Sequence, residues 1–227
     1  MSKIRGYLIL IQFSITVAVT IVLMYLFRNH HHSIRKAWMK LEIKLLGIKF
    51  EKQGELDMSC DMVILNHQSL LDIVVIEYLH ERNLAWVAKK EIADLFFFGH
   101  IIKAPRMISI DREDKTGIVT LLKETKDRLS KGRPIAIFPE GTRSNGKKIS
   151  KFKFGAKMVA DRYQLRVQPI VLVNTIKILN SKTLVAAPGT VKVIYLDPII
   201  ASKKDDWLHE TEVKMREILK NELANDA

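Results

Sequence analysis

The sequence predicts an α/β protein with a mixed, largely parallel sheet flanked by helices and an N-terminal membrane-associated helical segment. Short apolar runs typical of buried strands alternate with longer stretches of helical periodicity. Residues 7–27 form an uninterrupted stretch without charge. Among the 227 residues 48% are hydrophobic and 27% charged, which suits a folded domain with its own core and argues against intrinsic disorder.

The apolar stretch at residues 7–27 is predicted to be a membrane helix. At 1.5 Å per residue it measures about 32 Å, close to the thickness of a bilayer core. A signal peptide is less favoured, because its apolar region is usually about 7–15 residues long and Arg28 with three histidines follows here. Polar residues such as Gln12 and Thr16 leave open whether the helix spans the bilayer or enters one leaflet.

The charges that flank this stretch predict its orientation. Basic residues favour the cytoplasmic side, and the larger basic set follows the stretch. We therefore expect a protein of the cell membrane whose catalytic domain lies on the cytoplasmic face. The flanking residues are Lys3 and Arg5 before the stretch, and Arg28, Arg35, Lys36, Lys40 and Lys44 after it.

A second helix is predicted over residues 33–46, with Ser33 as its N-cap and Gly47 at its C-terminal end. A basic amphipathic helix directly after a membrane helix favours a position in the membrane interface over ordinary packing on the core. The predicted organisation is a membrane helix plus interfacial helix at 1–50 and an α/β domain at 51–227. The apolar face of the second helix is formed by Ile34, Trp38, Leu41 and Leu45.

The rest of the chain is predicted to alternate between strands and helices. In parallel sheets ligands bind beyond the carboxyl ends of the strands, so the residues that follow each strand are candidates for a site. The strands are expected at 61–66, 84–88, 107–110, 134–138, 167–174 and 190–196. The helices are expected at 70–81, 116–130, 154–162 and 205–224.

The segment NHQSLLD, residues 66–72, follows a predicted strand and begins a predicted helix. His67 and Asp72 would be about 140° apart on a regular helix, so they can meet only if His67 lies in the preceding turn. An imidazole held by a carboxylate can take a proton from an alcohol. Ser69 and Asp72 also fit a capping box, so this fragment alone leaves a purely structural interpretation open.

Charged residues follow three other predicted strands. Lys89 and Arg112 each follow one strand, and another strand runs into FPEGTRS, residues 138–144. There Gly141 allows a tight turn and Arg143 offers a planar fork suited to phosphate. Each feature alone is common at a solvated strand end, but together they predict a site for an anionic head group.

The net charge of +12 requires an anionic partner. The chain has no helix-turn-helix, zinc or aromatic RNA-binding signature, which argues against nucleic acid. A single cysteine, Cys60, excludes an internal disulfide and a cysteine-rich metal site. The basic run KKISKFKF, residues 147–154, is compatible with a plain solvated surface, with anionic lipid or with an acidic acyl carrier protein.

Four segments together resemble the motifs of the PlsC-type 1-acyl-sn-glycerol-3-phosphate acyltransferases in order and spacing. They are NHQSLLD, SIDR, FPEGTRS and the later Gln168-Pro169-Ile170, within about residues 60–175. The presence of both NHxxxxD and FPEGTRS in one chain is specific for this family, whereas either motif alone is not. The chain departs from many relatives in having APRMISIDR in place of a glycine-rich segment, and Gln168 before the fourth-motif proline. These departures leave the acceptor and the chain length open.

The resemblance implies transfer of a fatty acyl chain from acyl-ACP or acyl-CoA to the sn-2 hydroxyl of lysophosphatidic acid, giving phosphatidic acid. His67 would be the general base and Asp72 its orienting carboxylate. No metal or other cofactor is implied, and the expected partners are the two substrates, membrane lipid and, as a further candidate, acyl carrier protein, without nucleic acid. The residues implied in substrate binding are Lys89, Arg112, Glu140, Gly141, Thr142 and Arg143.

Two other functions remain to be weighed. The first is the same chemistry on a different lyso-lipid or lyso-aminolipid acceptor. The second is a non-catalytic, membrane-tethered module that binds anionic lipid, whose affinity would fall steeply with salt. Such a module would not need His67, Asp72 and FPEGTRS in one chain.

Overall fold

The computed structural model describes residues 3–111, 114 and 116–225. Its helices are α1 (Lys3–Leu26), α2 (His31–Leu46), α3 (Leu71–Leu79), α4 (Lys90–Ala93), α5 (His100–Lys103), α6 (Gly117–Ser130), α7 (Gly155–Tyr163), α8 (Thr175–Ile178) and α9 (Trp207–Asn225). Its strands are β1 (Ile48–Gln53), β2 (Met62–Leu65), β3 (Ala85–Lys89), β4 (Ile108–Ile110), β5 (Ile135–Ile137), β6 (Arg166–Val173), β7 (Leu179–Asn180), β8 (Val185–Ala186), β9 (Gly189–Tyr195) and β10 (Ile199–Ile200).

The main sheet has the strand order β1-β9-β6-β2-β5-β3-β4, and β10 also pairs with β6. Strands β6, β2, β5, β3 and β4 are mutually parallel. Strand β9 is antiparallel to β6, and β1 is parallel to β9, so one side of the sheet runs against the rest. The prediction of a mixed, largely parallel sheet is confirmed. The carboxyl ends of the five parallel strands therefore meet at one edge.

Helices cover both faces of the sheet, and each strand contributes side chains to two cores. In β2, Val63 and Leu65 belong to the core beneath α1, α2 and α3, whereas Met62 and Ile64 belong to the core beneath α6, α7 and α9. All four side chains are fully buried. This explains the continuous apolar sequence of β2, because a strand covered on both faces has no solvent-facing side.

Helix α1 packs along the domain with one stripe of its surface. Val17, Ile21 and Met24 are buried in the core beneath α1, α2 and α3. Near its N-terminal end Gly6 lies so close to Leu184 that an added Cβ would come within 2.0 Å of the Leu184 carbonyl oxygen. Near its other end the Tyr25 hydroxyl lies 2.5 Å from His100 Nδ1. The helix is therefore held by the domain near both of its ends.

The opposite side of α1 is apolar and exposed. The helix is long and apolar enough to cross a membrane, and only 22% of its most apolar 18-residue window is buried. Soluble core helices are mostly buried, so this exposed apolar surface is the feature expected of a helix that associates with a membrane. Its exposed side chains include Ile4, Leu8, Ile11, Ile15, Val19 and Val22.

Helix α2 differs from its prediction in two respects. It begins at His31, so Ser33 lies within the helix and the predicted Ser33 cap is wrong, whereas Gly47 ends the helix with a φ of 67° as predicted. The predicted apolar face is divided, because Trp38 is buried while Leu41 and Leu45 are 44% and 48% exposed. The predicted domain boundary at residue 50 falls within β1, and the division at that point stays a prediction.

Charged side chains fix α2 to α3. Arg35 is buried and donates from Nη1 to Glu77 Oε1 at 3.1 Å, and Trp86 Nε1 donates to the same oxygen at 2.8 Å. Lys36 Nζ donates to the carbonyl oxygens of Glu77, Tyr78 and His80 at the C-terminal end of α3. These two cations, expected beside the membrane, instead satisfy groups inside the fold.

Candidate active site

The candidate site lies at the edge where the parallel strands end. His67 comes two residues after β2, Glu140 comes three residues after β5, and Thr175 comes two residues after β6. Because β2 lies between β5 and β6, these three residues converge on its carboxyl end. This is the position at which parallel α/β sheets bind ligands.

His67 and Asp72 form a hydrogen-bonded dyad. His67 Nδ1 lies 2.8 Å from Asp72 Oδ2, and we assign the donated proton to the ring nitrogen because the carboxylate accepts. Oδ2 also accepts the backbone amides of Gln68 and Ser69, at 2.6 and 2.8 Å. Thr175 Oγ1 donates to Oδ1 at 2.5 Å. These four donors use the acceptor capacity of an ionised carboxylate, which fixes the position of the buried Asp72.

The capping and catalytic interpretations of NHQSLLD describe the same carboxylate. The Ser69 amide donates to Asp72, as in a capping box, while the Ser69 hydroxyl donates to the Leu179 carbonyl at 2.7 Å. His67 lies in the turn before α3, as the geometry of the spacing required. The N-cap position of α3 is Leu70, one residue after the predicted Ser69, although the Ser69 hydroxyl accepts the Leu71 amide at 3.3 Å. Half of the predicted box is therefore present.

The remaining polar side chains of this turn hold it against β6. Asn66 exchanges two hydrogen bonds with the backbone of Leu172, at 2.9 and 2.8 Å. Gln68 Nε2 donates to the same carbonyl at 2.8 Å. Because Asn66 and Gln68 are buried, these bonds stabilise the turn that presents His67.

The turn after β5 is joined to His67 through Glu140. This buried carboxylate accepts the His67 amide with Oε1 and the Ser150 amide with Oε2, both at 2.7 Å. Burial raises the pKa of Glu140, and the two amides oppose that rise. Gly141 has a φ of 73°, which favours glycine, and the Ser144 amide donates to the His67 carbonyl at 2.7 Å. Glu140 therefore holds the backbone of His67 and Ser150 in place through both of its carboxylate oxygens.

A cavity of about 660 Å³ extends from His67 between the sheet and helices α1, α2 and α3. The His67 ring stacks on Phe138 with the ring centroids 3.8 Å apart, and Phe138 stacks on Trp86. Leu70, directly before α3, and positions 73, 74 and 77 on one face of that helix line the cavity. The lining is mainly apolar and includes Phe13, Val17, Trp38, Met39, Ile92, Leu95, Phe98, Ile101 and Ile102.

Basic residues lie around the His67 end of this cavity. Lys89, Gly141, Thr142 and Arg143 all line it together with His67. Arg143 donates from Nη1 to the Ser181 hydroxyl at 3.0 Å, and Lys89 forms an ion pair with Glu91. Arg112 lies outside the described residues.

One residue that supports the site, Thr175, was not identified from the sequence, whereas Gln168 was noted there. Thr175 contacts Asp72 across more than a hundred residues, and only its place directly after a predicted strand could have drawn attention to it. Gln168, noted as a departure, binds the Asp57 amide and the carbonyls of Glu55 and Leu196. It anchors the loop before β2 and does not line the cavity.

No group of three or more His, Cys, Asp or Glu side chains suited to a metal ion occurs among the residues that the structure describes. Cys60 is buried, and burial raises the pKa of its thiol to about 11. A thiol of that kind is a poor nucleophile at neutral pH.

Comparison with known proteins identifies the family. The family profile described as Acyltransferase matches residues 58–173. A 1-acyl-sn-glycerol-3-phosphate acyltransferase of Helicobacter pylori is 43% identical over 92% of this chain and 90% of its own length. A chloroplastic enzyme of the same name from Arabidopsis thaliana is 31% identical over 95% of this chain and 65% of its own length.

The fold is also that of a solved structure. The crystal structure of the 1-acyl-sn-glycerophosphate (LPA) acyltransferase PlsC from Thermotoga maritima matches with a TM-score of 0.76 at 23% identity. The match covers 99% of this chain and 97% of that one, including the N-terminal helices. The chain therefore belongs to the 1-acyl-sn-glycerol-3-phosphate acyltransferase family.

Proposed function

We propose that this protein transfers a fatty acyl chain from an acyl thioester to the sn-2 hydroxyl of 1-acyl-glycerol-3-phosphate, giving phosphatidic acid. The observation that carries the proposal is the His67–Asp72 dyad, whose histidine lines a mainly apolar cavity of about 660 Å³. The dyad supplies a base for an alcohol, and the apolar lining suits fatty acyl chains. Relatives that bear this activity as their name match most of the chain.

The reaction needs one proton to move twice. His67 Nε2 accepts the proton of the acceptor hydroxyl while the oxygen attacks the thioester carbonyl carbon. The tetrahedral intermediate then expels the thiolate, which takes the proton from the imidazolium, leaving a new ester and a free thiol. Asp72 fixes the tautomer with Nε2 unprotonated and stabilises the cation that forms between the two transfers. This chemistry requires no metal or other cofactor.

The basic residues near His67 suit the phosphate of the acceptor. Lys89 and Arg143 lie at the same end of the cavity as the dyad, where they would hold the phosphate while the sn-2 hydroxyl faces His67. Arg112, two positions after the last residue of β4 in the sequence, completes the proposed set. Gly141 and Thr142 line the same cavity.

We further propose that the protein lies in one leaflet at the cytoplasmic face of the cell membrane. Helix α1 is held by the domain near both ends, so it could cross a bilayer only by drawing the domain into it. Its exposed side is apolar, and the cavity that it lines reaches the dyad. A lyso-lipid could thus pass from the leaflet to His67 without crossing water. The cytoplasmic orientation rests on Lys3, Arg5, Arg28, Lys40 and Lys44.

The reaction is tested with purified protein in detergent. A radiolabelled acyl thioester, on carrier protein or on coenzyme A, is supplied with lysophosphatidic acid, and phosphatidic acid is followed. We expect product with the unchanged protein and a loss of about 10²–10⁴-fold in rate for His67→Ala, the usual contribution of general-base catalysis. His209→Ala, an exposed histidine on α9, is the matched control and should keep full activity.

Two outcomes would contradict the proposal. Near-normal turnover by His67→Ala would exclude the dyad mechanism. Inactivity of the unchanged protein with both donors would exclude lysophosphatidic acid as acceptor, and a panel of other lyso-lipids and lyso-aminolipids would then be tested with the same variants.

A further inference from the structure

A second cavity, of about 570 Å³, lies between the segment at 147–151 and helix α9. We call it the basic cavity. Ile149 and Leu219 line it with buried apolar side chains. Its other lining residues include five exposed cations and no carboxylate: Lys147, Lys148, Lys151, Arg216 and Lys220.

The cations of the basic cavity are largely uncompensated. Arg216 pairs with Glu212 of the same helix at 2.7 Å. The four lysines form no ion pair with any residue in the described part of the chain. Like charges held together in this way create a positive potential that attracts an anionic partner.

The basic cavity adjoins the candidate active site. The amide of Ser150, one of its lining residues, donates to Glu140 Oε2 at 2.7 Å. Glu140 Oε1 accepts the His67 amide at the same distance. A single carboxylate therefore separates the wall of the basic cavity from the backbone of the proposed base.

The position of the basic cavity argues against a bilayer as its partner. Helix α9 covers the sheet face opposite to that covered by α1. The exposed apolar side of α1 marks the membrane side of the protein, so the basic cavity faces water. Its partner must therefore reach it from solution.

The exposure of the five cations also indicates the size of the partner. A bound nucleotide needs donors that are enclosed around its phosphates, whereas these side chains are spread along an open rim. An open rim of lysines suits the charged surface of an acidic protein, where such charges steer association. Of the proposed reactants, the acyl donor is the one that such a protein can carry.

We propose that the basic cavity is the docking surface of an acidic acyl carrier protein that delivers the acyl thioester to His67. This inference rests on the proposed function. It separates the routes of the two substrates, because the lyso-lipid enters from the membrane side and the donor from the opposite, aqueous side.

The test compares one acyl chain on two carriers. The double variant Lys148→Glu with Lys220→Glu changes one residue on each wall of the basic cavity. The control, Lys203→Glu with Lys204→Glu, makes the same charge change in an exposed loop near the start of β6, at the opposite edge of the sheet. For the double variant we expect the KM for the acylated carrier protein to rise about tenfold or more, with kcat unchanged. The KM for acyl-CoA should change by less than about threefold, since a small donor does not use the whole rim.

A binding measurement keeps the inference separate from the proposed function. Holo-acyl carrier protein is titrated against each variant in detergent at low and at high salt. Binding that the cavity variant weakens and the control keeps would support the docking surface, even if neither donor were turned over. The inference is overturned if both variants bind alike, if both donors lose activity equally, or if the enzyme uses only acyl-CoA.

Discussion

At the level of single residues, Asp72 Oδ2 accepts hydrogen bonds from His67 and from the amides of Gln68 and Ser69. The same atom therefore fixes the turn before α3 and orients the imidazole. A turn fixed in this way places the carboxylate before any substrate binds, so the dyad needs no rearrangement to act. This is why a pattern with an ordinary structural explanation can also carry chemistry.

The sequence predicted the dyad and the strand ends but not the contacts through which Thr175 and Glu140 support them. His67 and Asp72 are close in sequence, so their geometry follows from one turn. Thr175 reaches Asp72 through the pairing of β2 with β6, and Glu140 reaches His67 through the pairing of β2 with β5. Strand order is a property of the whole sheet, and no local pattern specified it.

Thr175→Val should weaken catalysis without touching the substrates. The change removes the donor to the buried Asp72 Oδ1, so the carboxylate can turn away from His67. We expect kcat to fall about tenfold or more with both KM values unchanged. Steady-state kinetics with Thr175→Ser is the control, since its hydroxyl keeps the bond. Equal losses in the two variants would show that the hydroxyl does not position Asp72.

Among helices and strands, the prediction succeeded where both faces of an element are buried. The parallel strands were placed to within one or two residues, because their continuous apolar runs are bounded by polar turns. Strand β1 was missed, since its sequence IKFEKQ is mostly charged and exposed. It becomes a strand by pairing with β9, which supplies the backbone partners that its own residues do not suggest.

The contact between α2 and α3 depends on the buried Arg35–Glu77 pair. Arg35→Met leaves the carboxylate buried without a cation, and we expect a loss of about 3–5 kcal/mol in unfolding free energy. Arg166→Met removes the same charge from the partly exposed pair with Asp57, and this change should lower the free energy of unfolding much less. Chemical unfolding in detergent compares the two, and equal losses would contradict a structural role for the buried pair.

Histidines around the start of α2 make the fold sensitive to acid. Burial lowers the pKa of His80 from 6.5 to about 4, and burial together with Arg35 lowers the pKa of His31 and His32. Between pH 6.5 and 4 the unfolded chain therefore binds protons that the folded chain excludes, so stability falls as the pH falls through this window.

The dependence is measured as unfolding free energy between pH 7.5 and 5. Asp57 contributes little to the pH dependence in this range, because its lowered pKa of about 2 means that it takes up a proton only in stronger acid. His80→Gln should reduce the slope, because a glutamine takes up no proton in either state. An unchanged slope would show that His80 is not one of the groups responsible.

For the molecule overall, the surface that we propose contacts lipid and the surface that we propose contacts a protein in solution lie on opposite sides. The apolar side of α1 and the basic cavity lie on opposite faces of the sheet, with the dyad at the edge between them. The sequence indicated the apolar stretch at 7–27 and the basic run at 147–154, whose partner it left open. It could not place them on opposite faces, because that follows from which core each helix covers.

Charges on the outer side of α1 should release the protein from membranes. Ile11→Glu with Ile15→Glu alters two side chains that are 57% and 58% exposed, so the fold should remain. A charged side chain costs about 2.5–3.5 kcal/mol at the centre of a membrane helix, so vesicle binding should fall by roughly a hundredfold or more. Val119→Glu with Ile200→Glu, exposed on other elements, is the control for sedimentation with vesicles. Equal release of both variants would contradict membrane contact through α1.

The pairing of β1 with β9 also sets the order in which the chain can fold. Strand β1 and helices α1 and α2 are synthesised first, but they pack on Val191 and Val193 of β9, near the end of the chain. At about 5–20 residues per second, on the order of ten seconds pass before β9 leaves the ribosome. An apolar helix that stays exposed for that time promotes aggregation, and binding of the helix to a nearby bilayer would prevent it. Cell-free synthesis should therefore yield more folded protein when lipid vesicles are present than when they are added afterwards.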